Sequence, residues 1–77
     1  MDEDGALIDR LVEHAIATAR TRSATLVGMR LRGGQREEIA ARAASACARM
    51  GHEDVEVSVE EGAGAPQLCA VELIRAR

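Results

Sequence analysis

Few residues in this chain are of a type that does chemistry, and they are scattered. His52-Glu53-Asp54 sets an imidazole beside two carboxylates, a donor set that can take a divalent cation. Three consecutive residues are a generic spacing, however, and a histidine just past a helix end is favoured there by the helix dipole alone. His14 stands beside Glu13 on the flank of an apolar helical stripe. Cys47 and Cys69 are too few and too far apart for a zinc motif or a disulfide framework. Both fall on expected inward faces and read as small buried hydrophobes in the thiol form. No serine or cysteine has a base and an orienting acid at identifiable positions. Gly33-Gly34 belongs to neither a GxxxxGK[ST] nor a GxGxxG pattern, so it reads as a strand-to-helix turn. The expectation is a protein that is not an enzyme.

The totals narrow the class. Seventy-seven residues make one domain, 1–77. The chain has no Phe, Trp or Tyr, so its core must come from Leu, Ile, Val, Met and alanine. Alanine removes little apolar area from water, and a second copy could supply the missing burial, so a homodimer is one expectation. A net charge of −3 and a pI near 5.3 argue against a nucleic-acid partner, as does the lack of stacking aromatics. No apolar run approaches the roughly 18 residues of a membrane span. The N-terminal MDEDG is acidic, unlike a signal peptide, and a soluble cytoplasmic protein is expected.

The elements that must position these residues follow from periodicity. Leu7, Ile8, Leu11, Val12, Ala15, Ile16 and Ala19 recur at helical spacing and predict a helix over Ala6 to Arg20, with Asp4 as its N-cap. Thr25 to Arg32 reads as a strand, with Val27, Met29 and Leu31 on one face and Leu26, Gly28, Arg30 and Arg32 on the other. A second helix, Arg36 to Met50, carries Ile39, Ala43, Ala46, Cys47 and Met50 on its apolar stripe, with Gly51 at the C′ position. Val55, Val57 and Val59 alternate with Glu56, Ser58 and Glu60 in a half-buried strand. Glu61 to Pro66 has turn chemistry, and Gln67 to Arg75 makes a last strand. There Cys69, Val71 and Leu73 are expected on one face, and Leu68, Ala70, Glu72 and Ile74 on the other.

A right-handed βαβ crossover makes the first two strands parallel, and the last strand returns antiparallel. Only one face of the Val55–Val59 strand is apolar, so both helices must cover the same face. The fold class is α+β: a two-layer sandwich, two helices on one face of a three-stranded mixed sheet, in the order α-β-α-β-β. The open face then carries Leu26, Arg30, Arg32, Glu56, Glu72 and Ile74, the expected surface for a protein partner.

The order of features resembles the nickel-binding domain of the HypA-type hydrogenase maturation proteins. The matching stretches are Met1-Asp2-Glu3, the helix Ala6 to Arg20, Met29-Arg30-Leu31-Arg32-Gly33, the helix Arg36 to Met50, Val55 to Glu61 and Ala70 to Ile74. The resemblance implies a nickel site at Met1, Asp2 and Glu3. The family has histidine second, and this chain has Asp2, which removes the imidazole that nickel prefers. The family's zinc domain, with its two CxxC pairs, has no counterpart beyond the six-residue stretch before the last strand. What the resemblance implies is a small non-catalytic accessory or scaffold protein of metalloenzyme maturation, acting by protein–protein contact with weak or no nickel binding. The alternatives are a metal-independent homodimeric interaction module and a KH-like RNA-binding domain. The last lacks the GxxG clamp, since the chain reads Arg32-Gly33-Gly34-Gln35.

Overall fold

The apolar stripe of the first helix does form a helix, and a longer one than its spacing requires. In the computed structural model, which describes the backbone of residues 3–75 and the side chains of residues 5–75, α1 runs Glu3–Thr21. Asp4 therefore lies inside the first turn and not at the cap. Strand β1 follows (Ala24–Gly34), then α2 (Arg36–Arg49), β2 (Glu56–Glu60) and β3 (Gly62–Arg75). The sheet order is β2-β1-β3, with β1 parallel to β2 and antiparallel to β3. This is the α+β arrangement α-β-α-β-β that the pattern predicts. No helix among the described residues is long and apolar enough to cross a membrane.

The core is assembled from one stripe of each helix and one face of β1. Ile8, Val12, Ala15, Ile16 and Ala19 come from α1, Ile39, Ala43, Ala46 and Cys47 from α2, and Leu26, Met29 and Leu31 from β1. Four of the nine helical core residues are alanines, which let the helices approach each other closely. That close approach offsets the small area each contributes. Val55, Val57 and Val59 on one side and Leu68, Val71 and Leu73 on the other close the core at half-burial.

Two β-bulges decide which residues face it. Leu26 pairs with Leu73 but Gly28 with Glu72, so β1 spends one extra residue, Val27. Arg30 pairs with Ala70 but Leu31 with Leu68, so β3 spends one extra residue, Cys69. Each bulge reverses a strict alternation. Leu26, expected on the open face, is 3% exposed and belongs to the core, while Val27, expected inward, is only half-buried. Leu68 likewise turns in and Cys69 turns out. A third irregularity sets Arg32 against Gln67 and Gly34 against Gly62. It absorbs the Gly62 to Pro66 stretch, which extends β3 and is not a free turn.

Helix α2 ends as its sequence indicates. Gly51 takes φ 83° at C′, its N–H donates to the Ala48 carbonyl, and the His52 N–H donates to the Cys47 carbonyl at 2.8 Å. This is the Schellman pattern. Asp9 Oδ1 accepts from Arg49 Nη2 at 2.9 Å and ties the end of α2 to α1.

Candidate partner-binding face

With both helices on one side, no described element covers the opposite face of the sheet, and its side chains come from all three strands. Arg30 stands at its centre. Its ladder neighbours are Ser58 on β2 and Ala70 on β3, and Gly28 precedes it on the same face. Arg30 itself is exposed. Arg30 has no ion-pair partner among the described residues. Arg30, Arg36, Ser58, Val59 and Glu60 border a shallow depression of about 330 Å³.

Around this centre the charges are arranged in opposed rows. Arg32 lies opposite Glu60 in the ladder, and its Nε and Nη2 donate to Glu60 Oε2 at 3.3 and 3.1 Å. That hydrogen bond, followed by the carboxylate's charge, raises the Arg32 pKa above the ordinary guanidinium value. The pair is solvent-exposed and orders the rim more than it stabilises the fold. Glu56 lies opposite Gly28 from one side and Glu72 from the other. Ile74, paired with Thr25, is 60% exposed and is the one large hydrophobic side chain so exposed among the described residues. Of the six residues expected on this face, five are there: Arg30, Arg32, Glu56, Glu72 and Ile74. Leu26 is excluded by the bulge at Val27.

The other candidates separate. Met1 and Asp2 lie outside the described residues, and Glu3 is described only as the first backbone position of α1. His52, Glu53 and Asp54 do not converge: among the described residues no group of three or more His, Cys, Asp or Glu is placed to hold a metal. His52 serves through its backbone, closing α2. Cys47 is buried, which pushes its thiol pKa up and holds it protonated. Cys69, expected inward, is exposed at its bulge.

Leu7, Leu11, His14 and Thr18 form a second ridge on α1, beside the core stripe, and with Pro66 to Val71 of β3 they line a groove of about 550 Å³. Leu11 also packs against the core from this ridge, so the ridge and the core stripe share a border.

Comparison with family models, with curated proteins and with solved structures found no match for this chain.

Proposed function

We propose that this protein is a small non-catalytic accessory protein that works by docking a partner protein on the open face of its sheet. The observation that carries this reading is the face itself. Arg30, without an ion-pair partner among the described residues, an exposed isoleucine and opposed rows of charge share one face of the sheet that no described element covers. The order of elements also fits the resemblance to the nickel-binding domain of the HypA-type maturation proteins, which favours a role as a scaffold in metalloenzyme assembly. With aspartate at position 2, nickel binding at Met1, Asp2 and Glu3 is weak or lacking in this reading.

The test is affinity capture from extracts of the protein's own cells, with wild type, Ile74→Glu and Arg30→Glu compared side by side. A specific partner is held by the wild type and lost from both variants while each keeps its helical circular dichroism. Capture that is indifferent to both substitutions overturns the proposal.

A further inference from the structure

We infer that the partner of the open face is a helix that sets an apolar side chain on Ile74, a basic one between Glu56 and Glu72, and an acidic one on Arg30, each a turn beyond the last. The inference rests on the reading of this face as the docking surface and names the chemistry of what docks there. Ile74, Glu72 and Ala70 are the exposed, alternate positions of β3, and Thr25, Gly28 and Arg30 oppose them on β1. On β2, Glu56 continues the Gly28 row and Ser58 the Arg30 row. The face therefore carries three successive rows. The first is apolar, at Ile74, which is 60% exposed. The second is acidic, with a carboxylate on each side of Gly28. The third is cationic, with Arg30 between Ser58 and Ala70.

Charge complementarity selects the side chains of the occupant. Arg32 and Glu60 already neutralise each other, whereas Arg30, Glu56 and Glu72 have no ion-pair partner among the described residues. Arg36 lacks one too and borders the same depression as Arg30, so a carboxylate arriving there meets two guanidinium groups. The two carboxylates beside Gly28 call for a cation. A uniform polyanion is disfavoured, because Glu56, Glu60 and Glu72 share the face with the arginines. Spacing and backbone chemistry select a helix. Adjacent rows are two strand residues, roughly 6.6 Å, apart, and helix positions i and i+4 are about 6 Å apart along the axis. An extended segment matches that spacing as well, but laid on side chains its N–H and C=O groups find no ladder partner, while a helix satisfies its own. Such a helix adds on the open face the layer that α1 and α2 form on the other.

Two lactam-bridged helical peptides, titrated with the full chain and followed by fluorescence anisotropy, test it. One carries Leu, Lys and Glu at i, i+4 and i+8, the other Leu, Glu and Lys, and they are otherwise identical. The expected result is that the Leu-Lys-Glu peptide binds wild type at least about tenfold more tightly, since the exchange turns both attractive contacts into repulsive ones. The difference should shrink as salt rises. In the double variant Arg30→Glu, Glu72→Lys the preference should reverse, with circular dichroism establishing that the variant is folded. The comparison on wild type needs no variant. Equal affinities of the two peptides, or no binding of either at millimolar concentration, overturn the inference. If the peptides are not distinguished while a partner captured by wild type is released by Ile74→Glu, the docking face stands and the helix with its charge order falls. Capture indifferent to the face substitutions removes the docking reading itself.

Discussion

The carboxylate of Glu72 lies over the bare α-carbon of Gly28. The two are ladder partners on β1 and β3, and a Cβ built on Gly28 would stand 3.1 Å from Glu72 Oε2 and 3.4 Å from the Glu56 carbonyl oxygen. The glycine thus leaves a space in the open face that a flexible acidic side chain occupies. Its role there is spatial, since its backbone needs no left-handed conformation.

That relationship separates Gly28 from Gly33. Gly28→Val should fold normally, gain up to about 1 kcal/mol from better strand propensity, and push the Glu72 chain end aside. Gly33 has φ 113°, and a Cβ there would meet the Ala65 carbonyl oxygen at 2.8 Å. Gly33→Ala should therefore cost about 1–3 kcal/mol. Urea denaturation of the two variants measures both, and equal effects would contradict the assignment.

The bulge at Val27 makes a prediction of its own. Leu26→Ala empties a core site and should cost about 2–5 kcal/mol. Ile74→Ala, on the exposed face, should change stability by less than about 0.5 kcal/mol. If strict alternation held through β1, the Leu26 substitution would be the mild one. Thermal or denaturant melts of the pair decide between these registers.

The order of elements, the pairing of β1 with β2 and the Schellman end of α2 were all legible in the residues. Val55, Val57 and Val59 fixed the buried face, and Gly51 fixed the end of α2. The two bulges were not read, because period-2 alternation carries no record of an inserted residue. A signal existed at one of them, since an isolated glycine within a strand, here Gly28, marks bulges as well as close approaches. At Cys69 nothing in the local sequence distinguishes the bulge from regular strand. Gly62 to Pro66 read as a turn because glycine and proline punctuate turns, whereas here they sit in a long irregular edge strand. Arg30, Arg32, Glu56, Glu72 and Ile74 lie on the open face and Leu26 does not, because the bulge at Val27 turns it inward; the groove along β3 leaves no separate mark in the sequence, because its ridge on α1 adjoins the core stripe.

The two thiols should differ sharply. Cys69 is expected to react at once with a maleimide or an aromatic disulfide, and Cys47 only as the chain unfolds. Burial raises the Cys47 pKa, so above the ordinary thiol range the unfolded chain gives up this proton first. The unfolded state then binds fewer protons than the folded state, and stability falls as pH rises from the ordinary thiol pKa towards the raised one. Below that window Cys47 contributes no pH dependence. Chemical denaturation at a series of alkaline pH values checks this, and Cys47→Ala should flatten the slope.

Nickel titration by calorimetry, on protein with its native N-terminus, should give at most weak binding. Asp2→His restores an imidazole and should tighten binding at Met1, Asp2 and Glu3. Tight binding by the wild type would contradict the accessory reading in its metal-poor form, and a silent Asp2→His variant would remove the resemblance as a guide to that site.

The most direct test of the account is affinity capture with the open face altered and the fold intact. Wild type and Leu11→Glu should retain the same partner from extracts of the protein's own cells, while Arg30→Glu and Ile74→Glu release it. A partner that survives both face substitutions, or that is lost only with Leu11→Glu, would contradict the claim that the bare face of the sheet is where this protein works.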